Sequence, residues 1–151
     1  MKSETEQVLR VGEYVFPLDR YYCSYQNSHL WLRMVDENIA EVGIDAFLSE
    51  TAGRLSYLSV SSERLERGKS FATIESAKFV SRLAAPVSGE VVELNAEVLA
   101  NPSRVNEAPY DAWILRVRLA SREELEAEGM LRSAEQIRAW IEREIERLEE
   151  E

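Results

Sequence analysis

One cysteine, one histidine and no long apolar run bound what these 151 residues can do. A lone Cys23 cannot close an internal disulfide, which fits a reducing compartment, so a cytoplasmic location is expected. With His29 as the sole histidine there is no metal-ligand spacing, and no nucleophile–base pair stands out. A chain with its own catalytic constellation is therefore not expected. Met1–Gln7 is polar and acidic with no apolar stretch behind it, so no signal peptide is read. No run approaches membrane-spanning length, and no membrane partner is expected. Positive charge is also short. Eighteen Lys and Arg face 28 Asp and Glu, a net charge of -10, and no basic stripe exists to bind nucleic-acid phosphates.

The acidity is uneven. Residues 121–151 hold eleven acidic and five basic side chains, so this tail carries -6 of the -10. The length suits one domain with an appendage. Residues 1–8 read as a frayed polar start, followed by an aromatic arm from Tyr14 to Tyr22 packed on a sheet. Leu30–Val35 and Ile39–Ile44 read as strands around the turn Asp36-Glu37-Asn38. Asp45 is placed to cap a short helix that ends at Gly53. Leu55–Val60 alternates as a strand, and Glu63–Lys69 reads as a charged turn. Val98-Leu99 and Trp113–Leu119 are expected to complete the β portion. Ser121 opens a short helical pattern, and Ser133-x-x-Gln136 is a capping box for a second helix. There Ile137, Trp140, Ile141, Ile145 and Leu148 recur at helical spacing, with Trp140 expected to dock the helix onto the β-core.

The segment richest in information is Glu75-Ser76-Ala77-Lys78. Phe71–Ile74 before it and Phe79–Leu83 after it are rich in β-formers, so Lys78 reads as the tip of a β-hairpin. Gly89 falls eleven residues beyond the lysine in Pro86–Asn95. Residues 72–95 resemble the lipoyl-lysine segment of the glycine cleavage H-protein family. His29-x-Trp31, Val42-Gly43-Ile44, Asn101-Pro102, Val105-Asn106, Pro109-Tyr110 and Trp113 extend that resemblance over roughly residues 29–120. It implies a mainly β fold with C-terminal helices, a lipoyl/biotinyl-type barrel-sandwich hybrid of two β-layers with a short internal helix. It further implies lipoate attached covalently to Lys78, Glu75 as a recognition point for a lipoate ligase or other attachment enzyme, and Gly89 setting hairpin and strand geometry. His29 is expected as a hydrogen-bonded sheet residue beside the arm's cleft. The chain then divides into an N-terminal arm (1–28), a lipoyl-carrier β-domain (29–120) and an acidic helical extension (121–151). The echo of Gly53-x-Leu55-x-x-Leu58 in Gly89-x-Val91-x-x-Leu94 matches the two pseudo-symmetric halves of lipoyl domains.

Departures from the family pattern bear on the cargo. The usual His-Glu-Trp glutamate is Leu30, and an ammonium out of water needs an anionic partner. The family's glycine-rich loop has shrunk to Tyr110-Asp111-Ala112-Trp113. The Phe16–Tyr22 arm and Ala52-Gly53 resemble the H-like lipoate-binding proteins of sulfur oxidation, which work with a heterodisulfide-reductase-like complex. On sequence, the reading leans to that sulfur carrier. Its alternative is a glycine cleavage H protein that shuttles an aminomethyl group among P-, T- and L-proteins. A non-lipoylated structural or regulatory relative is more remote. A biotin carrier is disfavoured because Ala77 and Phe79, not methionines, flank Lys78. Cys23 reads as a small core filler rather than a redox partner of the dithiolane. A monomer is expected.

Overall fold

Alternating strands with one long helix build a seven-stranded and a three-stranded antiparallel sheet beside a two-stranded hairpin, and the lysine hairpin belongs to the three-stranded one. The computed structural model describes residues 7–150. A hairpin of β1 (Val8–Val11) and β2 (Tyr14–Pro17) opens the described chain. Then come β3 (Tyr21–Cys23), β4 (Leu30–Met34), β5 (Ile39–Ile44) and the helix α1 (Ala46–Thr51). Next are β6 (Leu55–Val60), β7 (Arg64–Leu65), β8 (Ser70–Ser76), β9 (Val80–Ala84) and β10 (Gly89–Leu94). Two short helices, α2 (Ala96–Ala100) and α3 (Arg104–Glu107), precede β11 (Leu115–Leu119), β12 (Met130–Leu131) and α4 (Ala134–Glu149). The larger sheet runs β12-β3-β4-β5-β11-β10-β7 and the smaller β6-β8-β9.

Between the sheets lies a continuous apolar core that includes Leu30, Val42, Leu58, Phe71, Ile74 and Val117. A second core, with Phe16, Tyr22, Trp31, Phe47, Trp140 and Ile141, lies under α4. Period-2 alternation directs one face of each strand inward. Outside the larger sheet, Glu41 is paired in register with Arg33 on one side and Arg116 on the other. The Arg33–Glu41, Arg116–Glu41 and Arg116–Glu93 contacts are 2.9, 2.8 and 2.6 Å, a charge ladder across four strands.

Several expectations are met. Asp45 caps α1, its carboxylate accepting from the Leu48 amide at 2.9 Å. Ser133 and Gln136 form both halves of the capping box of α4. Trp140, Ile137 and Ile141 are buried, so α4 docks as expected, each side chain contributing about 2 kcal/mol.

Others change. Val98-Leu99 lies in α2, not a strand. Asn95 precedes it at the N-cap position, and the helix packs beside β6 with Val98 buried. The charged turn at Glu63–Lys69 contains β7, whose Leu65 pairs with Gly89. The segment after Ser121 forms a 3-10 turn at Arg122–Glu126, and β12 then pairs with β3. The larger sheet thus takes strands from both sides of residues 29–120. The frayed start falls on residues 1–6, outside the described residues, except that Val8 already begins β1. The proposed echo fails in burial: Leu55 and Leu58 are buried, whereas Leu94 is 46% exposed.

Candidate functional site

Lys78 sits at the turn between β8 and β9, and its fixity comes from the residues on either side. The Ser76 amide donates to the Phe79 carbonyl at 2.9 Å, closing the turn. Ser76 Oγ accepts from the Lys78 amide at 3.1 Å and donates to the Ala52 carbonyl at 2.6 Å. Phe79 packs against the main core. One side of the tip is therefore hydrogen-bonded to the end of α1, and the other is held by apolar burial. Lys78 itself is exposed.

The aliphatic stem of Lys78 runs over Gly53. A Cβ at that glycine would lie 3.5 Å from Cδ and 3.6 Å from Cε. Gly53 also has φ +80, which L side chains adopt only with strain. Its carbonyl accepts from Asn106 Nδ2 at 2.8 Å, which also donates to the Ser49 carbonyl at 2.8 Å. Asn106 Oδ1 accepts from the Leu55 amide at 2.9 Å. One amide side chain thus fixes the loop on which the lysine rests. Ser76, Gly53 and Asn106 were not singled out for this from sequence, although Val105-Asn106 marked the place.

Beside the tip is a groove of ≈ 600 Å³, lined by Arg54, Ser56, Ser76, Ala77, Asn101 and Ser103. Glu75 lies on the outward face of the small sheet, paired with Tyr57 on β6 and Val80 on β9. It is one row from the tip.

Gly89 is not in the hairpin. It lies in the larger sheet opposite Leu119 and Leu65, where a Cβ would overlap the Arg118 carbonyl oxygen. Its role is close strand packing. Gly43 serves Trp31 similarly, because a Cβ there would overlap the indole ring facing it across β4 and β5. Trp31 Nε1 in turn donates to the Pro109 carbonyl at 2.9 Å.

His29 is also elsewhere. It precedes β4 at the N-terminal end of α1, whereas Lys78 rests at the C-terminal end. Both ring nitrogens are engaged, Nδ1 with Asp45 at 3.0 Å and Nε2 with Glu144 of α4 at 2.7 Å. The ring is stacked between Phe47 and Trp140 at 4.8 and 4.6 Å. Burial opposes its charge, but the Asp45 charge and the hydrogen bonds that the ring donates to Asp45 and Glu144 outweigh it, raising the pKa to about 9. His29 is a cationic rivet between helices and has no free nitrogen for an arm. Leu30 is wholly buried in the main core, paired with Ile44 and Cys23, so this position does not report on what the arm's tip meets. Cys23 is buried too, and burial raises its thiol pKa.

An exposed lysine on a rigid hairpin suits a covalently carried group. Residues 23–144 match the family model described as glycine cleavage H-protein. The chain belongs to the glycine cleavage H-protein family. It is 34% identical over 119 residues to a probable glycine cleavage system H protein of Pyrococcus furiosus, spanning 78% of this chain and 87% of that one. A glycine cleavage system H protein of Lachnoclostridium phytofermentans is 39% identical over 95 residues, 62% of this chain and 75% of the relative. The crystal structure of an H protein from Mycobacterium marinum superposes with TM-score 0.67 and 27% identity, covering 80% of this chain and 94% of that one. This H-protein-family chain has the barrel-sandwich hybrid fold and is a carrier protein rather than an enzyme. Among the described residues, no helix is long and apolar enough to cross a membrane.

Proposed function

We propose that this H-protein-family chain carries lipoate in amide linkage on Lys78 and serves glycine cleavage. The observation that carries the reading is the mount, an exposed lysine whose turn is held by the Ser76 hydrogen bond to Ala52 at the end of α1 and by Phe79 packed against the core. Lipoate fits these residues, because the stem of Lys78 lies along Gly53 while the side chain remains exposed. When bound, it would supply a dithiolane that acts as a redox couple and thiol-level group carrier. The scaffold holds Lys78 at a fixed point, so a partner enzyme meets the arm at high effective concentration. Glu75, one row from the tip, is read as a recognition point for a lipoate ligase.

The proposed cargo is the aminomethyl group of glycine, passed among P-, T- and L-proteins. Support comes from the relatives, which are named as glycine cleavage system H proteins. Of the departures that weakened the glycine-cleavage reading in favour of a sulfur cargo and a heterodisulfide-reductase-like partner, Leu30 is a core side chain. The test is glycine decarboxylation by P-, T- and L-proteins supplied with the lipoylated chain. Turnover that disappears with Lys78→Arg is expected. A lipoylated chain inert with those enzymes but active with a heterodisulfide-reductase-like complex would overturn the cargo assignment and leave the carrier reading in place.

A further inference from the structure

The helix α1 is held at both ends, and the two ends meet different parts of the chain. Its six residues, at 1.5 Å each, span about 9 Å. At the first turn the Leu48 amide donates to Asp45 Oδ1 at 2.9 Å, while Asp45 Oδ2 accepts from His29 Nδ1 at 3.0 Å. His29 Nε2 donates to Glu144 Oε1 of α4 at 2.7 Å. At the last turn the Ala52 amide donates to the Leu48 carbonyl at 2.9 Å, and the Ala52 carbonyl accepts from Ser76 Oγ at 2.6 Å. Ser76 Oγ in turn accepts from the Lys78 amide at 3.1 Å. An unbroken run of hydrogen bonds thus joins a carboxylate of the C-terminal helix to the backbone of the exposed lysine.

Stacking follows the same route. Phe47 of α1 lies on His29 at 4.8 Å, and His29 lies on Trp140 of α4 at 4.6 Å. Tyr110 Oη, which accepts from the Ala46 amide, and Asn106, which donates to the Ser49 and Gly53 carbonyls, also brace α1. A helix of fewer than two turns moves as one piece. Lifting its first turn off α4 therefore also draws Ala52 away from Ser76 and Gly53 from beneath the stem of Lys78. We propose that Glu144 and His29 are positioning residues for Lys78, acting through α1 as a strut between α4 and the hairpin tip. The purpose of the strut rests on the lipoyl-carrier reading, in which a fixed base for the arm keeps its tip at high effective concentration for a partner enzyme. The acidic helical extension is then part of the lysine's mount and not only a cover for the second core.

The experiment is native-state amide hydrogen exchange near neutral pH on the full chain without lipoate, so that this inference and the carrier reading fail separately. The amides of Ala52, Leu55 and Ser76 report the end of α1 and the hairpin tip, and those of Leu32 and Val42, inside the larger sheet, report global opening. Glu144→Ala removes the acceptor, and Glu144→Gln keeps an acceptor oxygen for His29. Ile137→Val thins the second core on the same helix without touching the run. Glu144→Ala is expected to speed exchange at Ala52, Leu55 and Ser76 about tenfold, the scale of one hydrogen bond between charged groups. Glu144→Gln should restore these three amides to within about threefold of wild type, since the bond survives with one charge fewer. In Ile137→Val, Leu32 and Val42 should exchange faster while the three tip amides stay at the wild-type rate, because lifting α1 leaves Ile137 packed. Unchanged tip exchange in Glu144→Ala overturns the inference, because the tip then opens without α4. Tip amides that follow Leu32 and Val42 in Ile137→Val overturn it too, because the tip then opens only with the whole molecule.

Discussion

Replacing His29 with Gln should remove a pH-dependent part of the stability, and the structure gives its size and sign. The imidazolium is held by Asp45 and Glu144 and stacked on Phe47 and Trp140, joining α1 to α4. Its pKa rises from 6.5 to about 9 on folding. At about 1.4 kcal/mol per pH unit, the charged form contributes roughly 3 kcal/mol. Because the folded value is raised, that contribution is complete below pH 6.5 and is lost as pH rises through about 9. Glu144 acts at the other end of the scale. Its hydrogen bond to His29 lowers its pKa below 4.5, so its share is present above that value and is lost as pH falls. The rivet is strongest between these limits. In thermal unfolding from pH 6 to 10, the wild-type advantage over His29→Gln should shrink by about 6–12 °C for a chain of this size. Glu144 loses its His29 partner in the variant, but its wild-type titration lies below this pH window, and the lost ring stacking is a constant offset. Parallel curves across the series would refute the charged-rivet account.

Gly89→Ala should destabilise by about 1–3 kcal/mol or abolish folding, since its Cβ meets the Arg118 carbonyl; a wild-type denaturant midpoint would count against that close packing. Glu41→Gln removes the charge shared by Arg33 and Arg116 and should cost about 1–2 kcal/mol, held down because both arginines reach solvent. Urea melts at low and high salt would check this, and no change would show that the ladder is decorative. Glu75→Ala should slow lipoylation with the fold intact; unchanged modification kinetics would remove its recognition role.

Local signals were readable along the chain. Asp45 before an apolar turn, Ser133 three residues before Gln136, and the β-formers around Lys78 each state their structure within a few residues. The family resemblance reached the fold because its motifs are packing devices: Gly43 seats Trp31, and Asn106 ties the loop under Lys78. Long-range pairing was hidden. His29 and Glu144 are 115 positions apart, and nothing near either one names the other. Met130–Leu131 is too short to carry a periodic pattern and becomes a strand only because β3 offers it an edge. Val98 alone favours a strand, while its neighbours Ala96, Glu97, Leu99 and Ala100 are strong helix formers, so the short helix was legible locally and was missed. Leu30 was misread for a different reason. Its place in the His-x-Trp motif does not state which way it faces, and the register of β4 turns that side chain into the core.

Intact mass after incubation with a lipoate ligase, ATP and lipoate tests the central claim most directly, with Lys78→Arg as control. The account predicts one lipoyl increment on the wild-type chain and none on the variant. An increment that persists in Lys78→Arg, or no increment with several unrelated ligases, would contradict it.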